Sequence, residues 1–238
     1  MKIVDIKTFL MMAGAPESTG SSSWSARNWC FVKIYTDEGI VGIGEGSGWP
    51  RVVQTAIEDL RPIVVGEDPM NIERIWQKML ISTMGAGMTG TPGSGAINAI
   101  DMALWDIKGK ALNTPVWNLL GGKVRDRIRA YGHASTPERA LELKEQGLTG
   151  VKTGGVYRTA DKVEAIRKAV GDDMDIMVDA HGPPWFNAKD AIIVGKSLEQ
   201  FNLLFYEDPV PPDNVDALRR VQDNVNIPIA AGERHSHI

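Results

Sequence analysis

Three short apolar runs, each closing on an acid, decide how this chain folds. They are Met174-Asp175-Ile176-Met177-Val178-Asp179, Leu203-Leu204-Phe205-Tyr206-Glu207 and Ile227-Pro228-Ile229-Ala230-Ala231-Gly232-Glu233. Each reads as a buried strand with a carboxylate at its C-terminal tip. Asp179 and Glu207 are 28 positions apart, and Glu207 and Glu233 are 26 apart. That interval is one strand–helix unit, and helical patterning fills it. In a parallel barrel such tips meet on one face, where active sites are built. Three carboxylates meeting there repel one another unless protons or a cation intervene. A hard divalent cation with oxygen ligands is the simplest solution, and Mg²⁺ fits best.

Upstream of these runs the same alternation continues. Strands are expected at 128–133 and 148–153, with helices near 137–147, 159–170, 188–200 and 213–224. Pro137 and Asp213 stand where helix starts favour such residues. Five strand–helix units suggest either a (β/α)₈ barrel or a doubly wound sheet. Acids at successive tips favour the barrel, because a doubly wound sheet reverses its strand order at a switch point. Residues 124–238 supply 115 positions, whereas a whole barrel takes about 250. Only about the first five barrel strands are therefore expected here. The chain is read as a piece of a longer protein, in preference to one completed by a second chain.

Before Lys123 the grammar is different. Residues 1–10, 29–35 and 40–45 alternate as strands, the last two joined by the turn Thr36-Asp37-Glu38-Gly39. Helical spacing follows from Val52 to Leu60, with Arg61-Pro62 expected to end it. Two more helices are expected at 71–81 and 96–111, separated by a Gly- and Thr-rich stretch at 82–95. Three antiparallel strands followed by helices make an α+β domain. The expected division is 1–122 for this domain and 123–238 for the partial barrel. The Gly/Ser-rich stretch 13–28 is longer than an ordinary connection and reads either as a lid or as a disordered surface loop.

Composition excludes several classes. A net charge of −4 without a Lys/Arg stripe argues against nucleic acid as a partner. No apolar run is long enough to span a bilayer, so a membrane is not an expected partner. Cys30 is the single cysteine, which rules out an intrachain disulfide and a thiolate cluster and points to a reducing, cytoplasmic setting.

Other residues near the tips can carry chemistry. Lys152 ends the second barrel strand, where a lysine can bind a substrate carboxylate, serve as a base with a lowered pKa, or simply be solvated. His181 follows Asp179 by two positions, so an extended tip turns both side chains the same way. It is a candidate acid or base, with a hydrogen-bonded supporting role as the alternative. His133 ends the first barrel strand and His235 follows Glu233 by two, so both are candidates for the mouth. Direct histidine ligation would shift the preference toward Zn or Mn. Asp208 should point away from Glu207. Trp24 and Trp49 lie in loops and are candidate walls of a substrate pocket. On these residues alone, a metal-free glycosidase using two tip carboxylates also stands.

The segment Ala96-Ile97-Asn98-Ala99-Ile100-Asp101-Met102-Ala103-Leu104-Trp105-Asp106-Ile107-Lys108-Gly109-Lys110-Ala111 is followed by Pro115-Val116 and Leu119-Leu120-Gly121-Gly122. Together with Lys152, Val178-Asp179-Ala180-His181, Tyr206-Glu207-Asp208-Pro209 and Gly232-Glu233, it resembles the enolase superfamily in its mandelate racemase/muconate lactonizing enzyme branch. The resemblance runs along nearly the whole chain. It implies an α+β cap over a modified (β/α)₈ barrel, with Mg²⁺ held by Asp179, Glu207 and Glu233. It also implies removal of the proton α to a carboxylate through an enediolate. Racemases and cycloisomerases of the superfamily typically carry Lys-x-Lys at the second tip, where this chain has Lys152-Thr153-Gly154. A histidine two residues after the first metal ligand is similar instead to acid-sugar dehydratases of the galactonate and mannonate type. There it protonates the departing β-hydroxyl, and that role passes to His181, while Lys152, the other expected catalytic residue, would bind the substrate carboxylate or assist at the metal. Trp24, Trp49, His133 and His235 are the expected substrate-binding residues. In those dehydratases the base often comes from a His–Asp pair on later strands. The expected partner is a sugar acid, the expected assembly a homo-oligomer. A racemase or epimerase of a 2-hydroxy acid is the alternative chemistry, and an inactive fragment is the other.

Overall fold

A computed structural model describes residues 1–13, 27–85, 90–182 and 184–233. The chain divides into two compact units, the first ending at Asp126 and the second beginning at Arg127. No helix among the described residues is long and apolar enough to cross a membrane.

The first unit opens with an antiparallel sheet in the order β1 (Ile3–Ala13), β2 (Arg27–Thr36), β3 (Val41–Gly46). Strict alternation along β2 buries Cys30, Val32 and Ile34 on one face, the signature of a sheet with one covered side. Helices α1 (Pro50–Val64), α2 (Ile72–Gly85) and α3 (Thr91–Ala111) supply the cover, and the short α4 (Val116–Leu119) follows. Val53, Ile57, Leu60, Ile75, Met79, Ile100, Leu104 and Ile107 join the strand residues in one core. Alternating glycines let α3 lie directly on β3. A Cβ at Gly42 would stand 2.1 Å from the Ala103 carbonyl oxygen, and one at Gly44 1.9 Å from that of Ala99. The outer edge of β3 is occupied as well, since Ile43 N–H donates to Asp106 at 2.9 Å and Lys110 Nζ donates to the Val41 carbonyl at 2.7 Å. Such pairing blunts an edge that could otherwise template another strand.

Helix boundaries in the first unit differ from the sequence expectation, and α2 runs past the expected end at 81 to Gly85. Helix α1 runs through Pro62 to Val64. Proline removes a single hydrogen bond there. Arg61 secures the turn by donating to the Ile6 carbonyl at 2.7 Å and pairing with Asp5 at 2.6 Å, while Val64 is buried. Helix α3 begins at Thr91, inside the stretch expected to be loop, with Pro92 in its first turn where proline is tolerated. A Cβ at Gly95 would meet the Ser47 carbonyl oxygen at 2.2 Å, so close packing replaces the helix propensity that glycine lacks.

The second unit is a five-stranded parallel sheet in the order β4 (Gly132–His133), β5 (Gly150–Gly154), β6 (Asp175–Asp179), β7 (Phe205–Glu207), β8 (Ile229–Ala230). Helices α5 (Pro137–Glu145), α6 (Thr159–Val170), α7 (Ala188–Leu198) and α8 (Val215–Gln222) connect successive strands, and one 3₁₀ turn (Glu199–Phe201) extends α7. The strand order is sequential, with no switch point, as the barrel reading requires. Val151, Ile176, Val178 and Tyr206 are fully buried with Val163, Ile166, Leu198 and Val221, which places the core between strands and helices. Thr136, Asn187 and Asn214 cap α5, α7 and α8, each accepting a backbone N–H with its side-chain oxygen. Asn214, rather than Asp213, is thus the cap of α8. The strand expected at 128–133 shrinks to Gly132–His133, because Ile128 stays 80 % exposed and has no core to enter.

Candidate active site

Strand alternation separates two sets of side chains in the second unit. Thr153, Val178 and Tyr206 sit level with one another in the ladder, and the last two belong to the core beneath the helices. Lys152, Asp179 and Glu207 occupy the opposite face. Asp179 pairs in register with Gly154 on one side and Glu207 on the other, so the two carboxylates stand at the same height on adjacent strands. The ladder continues past the strand ends, through Gly155 N–H to Asp179 O at 2.9 Å, Ala180 N–H to Glu207 O at 3.0 Å and Asp208 N–H to Ala230 O at 3.0 Å. These bonds fix the tips on which the carboxylates ride. Asp208 is buried away from the pair, at a φ of 42°.

Lys152 lies between the acids. Its Nζ is 3.1 Å from Asp179 Oδ2 and 2.8 Å from Glu207 Oε2, and all three side chains are largely buried. Burial alone would lower the lysine pKa, but the hydrogen bonds and charges of Glu207 and Asp179 outweigh it and raise the value. An ammonium held in this way is a cation at neutral pH. It suits binding an anionic substrate group and does not suit a base. Burial would likewise raise the Asp179 pKa, yet hydrogen bonds from His181 and Lys152, with the lysine charge, bring it below the usual range.

His181 folds back over Asp179. Its backbone N–H donates to Asp179 Oδ1 at 3.2 Å and its ring Nδ1 lies 2.7 Å from the same oxygen. With the proton assigned to Nδ1, the imidazole is oriented by a carboxylate and Nε2 is left to face other groups. Gly182 follows at a φ of 116°, a conformation that suits glycine and turns the chain away directly after the histidine.

His133 stands level with Lys152 in the ladder, and its ring centroid is 6.3 Å from that of Tyr131. Lys152 Nζ lies 5.8 Å from the Tyr131 ring, within cation–π range. Tyr131 was not singled out in the sequence, although its position two before His133 in an alternating run is the signal that could have found it. Glu233 is exposed and lies three residues beyond β8. Among the described residues no three His, Cys, Asp or Glu side chains are gathered so as to hold a metal. Asp179 and Glu207 share the lysine ammonium between them. Two adjacent carboxylates already bridged by a cation are nonetheless a donor pair that fits a hard divalent ion. Trp49 is 69 % exposed and belongs to the first unit, at the start of α1. Trp24 and His235 lie outside the described residues.

The pattern of the mandelate racemase/muconate lactonizing enzyme N-terminal domain matches residues 4–121, and that of the enolase C-terminal-like domain matches residues 135–238. The chain belongs to the enolase superfamily. A crystal structure of a superfamily member from Salmonella Typhimurium superimposes with a TM-score of 0.82 at 33 % identity, over 98 % of this chain and 68 % of that one. The crystal structure of the 3,6-anhydro-D-galactonate cycloisomerase from Zobellia galactanivorans gives a TM-score of 0.88 at 34 % identity, over 99 % of this chain and 66 % of that one. Among curated proteins, the D-galactonate dehydratase of Klebsiella pneumoniae (strain 342) is 40 % identical, over 87 % of this chain and 58 % of its own length. The D-galactonate dehydratase of Pectobacterium atrosepticum is 39 % identical with the same coverage. This superfamily chain thus spans a little over half the length of the curated relatives it matches.

Proposed function

We propose that this superfamily member is part of a Mg²⁺-dependent sugar-acid dehydratase, which removes water from its substrate to give a 2-keto-3-deoxy acid. The observation that carries this reading is the 2.7 Å contact between His181 Nδ1 and Asp179 Oδ1. With Nδ1 engaged by a carboxylate, the opposite nitrogen, Nε2, is the atom from which a proton would pass to a departing hydroxyl. The identities to D-galactonate dehydratases support the same reaction class and suggest an aldonic acid as substrate.

Asp179 and Glu207 would hold the divalent cation, and Glu233 is proposed as the third ligand on the next tip. When bound, the cation supplies electrophilic stabilisation of the charge that develops on the substrate carboxylate as its α-proton leaves. Lys152 contributes a fixed positive charge for that same carboxylate. His181 protonates the β-hydroxyl as it departs. Tyr131 and His133, on the same face as Lys152, are proposed to line the substrate side.

A panel of aldonic acids, D-galactonate among them, incubated with the protein and Mg²⁺ in D₂O tests this reading. Formation of a 2-keto-3-deoxy acid is the expected result. Deuterium appearing at the α-carbon with no loss of water would replace dehydration by racemisation or epimerisation.

A further inference from the structure

Every oxygen that Asp179 turns toward the tip cluster is engaged. Oδ1 takes both the backbone N–H and the ring of His181, and Oδ2 takes Lys152. Glu207 reaches the same ammonium through Oε2 at 2.8 Å. One nearly buried ammonium thus stands between two nearly buried carboxylates, and taking the lysine away would leave like charges facing each other in a poorly solvated place. No cation can use Asp179 Oδ2 and Glu207 Oε2 together while Lys152 Nζ stays between them.

We infer that Lys152 is a tethered placeholder. It holds the two carboxylates in position when the site is empty, and it must leave them before a divalent cation can bind. Released in this way, its ammonium becomes available to a substrate carboxylate, so the charge that guards the empty site becomes the charge that receives substrate. Substrate binding at Lys152 would then follow loading of the carboxylates, with the order set by one side chain. The inference rests on the proposed metal reading and adds a competition that the reading by itself does not require.

Titration of the 238-residue chain with MgCl₂ by calorimetry, for wild type and Lys152→Met, tests it. The variant should bind Mg²⁺ about tenfold tighter or more, the order expected when a buried ion-pair competitor is removed. In EDTA the variant should melt below wild type, and saturating Mg²⁺ should narrow that gap. Equal or weaker Mg²⁺ binding by the variant overturns the placeholder role while leaving the metal reading intact. Failure of both proteins to bind Mg²⁺ overturns both. A second measurement needs no variant: amine labelling of wild-type Lys152, read by peptide mass spectrometry, should rise severalfold on adding MgCl₂. Labelling that is unchanged or reduced by MgCl₂ overturns the inference.

Discussion

Each unit has a sheet with helices on one face, and the two sheets use the other face differently. In the first unit that face carries Phe9, Met11, Phe31, Lys33 and Ile43, with Phe9 40 % and Ile43 48 % exposed. Lys33 Nζ sits 5.5 Å from the Phe9 ring and Lys7 Nζ 5.4 Å from that of Tyr35. These cations rest over apolar rings without opposing one another. In the second unit the corresponding face ends in Lys152, Asp179 and Glu207, where opposite charges are buried together. The first arrangement costs little to change, because exposed pairs of this kind contribute modestly. The second is a set of mutually dependent charges, in which removing one member exposes the cost of the others.

The sharpest way to break this contrast is at His181. Replacing it with Asn should lower turnover by about 10²- to 10⁴-fold if it supplies the proton for the leaving hydroxyl. The melting temperature should move far less, because the histidine is only half-buried. Steady-state kinetics beside a thermal melt would decide, and an active variant would remove the acid role. Exchanging Phe9 for Leu on the first unit's open face should leave turnover unchanged in the same assay.

Packing gives the next largest effect, and there the units exchange roles. Gly44→Ala should destabilise the first unit by about 3 kcal/mol or more, since a methyl cannot stand where the Ala99 carbonyl oxygen lies 1.9 Å away. A denaturant titration measures it, and a loss under about 1 kcal/mol would mean that α3 can lift from β3 without strain. In the second unit, Asn187→Ala removes only the cap of α7 and should cost about 1 kcal/mol.

Acidity produces the smallest and most diagnostic difference. Asp179 has a lowered pKa, so its contribution is present above the unfolded value of about 3.9 and is lost as pH falls further, through the folded value. Asp101 in the first unit is shifted upward, first by burial and then by the Glu73 charge, against a hydrogen bond from Trp105. Its ionisation is therefore a cost at neutral pH, relieved as pH falls through its raised value. Lys152, with a raised pKa, keeps its contribution below its unfolded value near 10.4 and loses it only in stronger alkali. Hydrogen exchange resolved by segment, followed from pH 7 toward pH 3, should show protection near α3 gaining before protection near β6 declines. Asp101→Asn should abolish the first change and leave the second.

Much of this was legible in the chain itself, for identifiable reasons. Buried parallel strands read as apolar runs, so β5, β6 and β7 were found within two residues of their observed ends. The antiparallel hairpin followed from alternation around Thr36-Asp37-Glu38-Gly39. Helix α3 begins five residues before its patterning does, because its first turn is held by contacts with Ser47, which local patterning does not contain. Pro62 does not end α1 for a similar reason, its turn being secured by Asp5 and the Ile6 carbonyl, more than fifty positions away. At the tips, the interval between acids indicated that Asp179 and Glu207 would meet, and they do. It could not show that Lys152 would settle between them, since that depends on register across three strands. Glu233 shares the interval, and β8 itself ends three residues before it, at Ala230.

The register of β7 has a consequence for how the chain avoids misassembly. Tyr206 and Glu207 are neighbours, the first wholly buried beneath the helices and the second beside Lys152. Sliding that strand by one position would drive a carboxylate into the apolar layer and lift a tyrosine to the tip. The error would strand the lysine and strip the core at once, and no nearby slip could relieve both. The charged tip therefore acts as a key for pairing. The side chains poised for chemistry also proofread the order in which the strands come together.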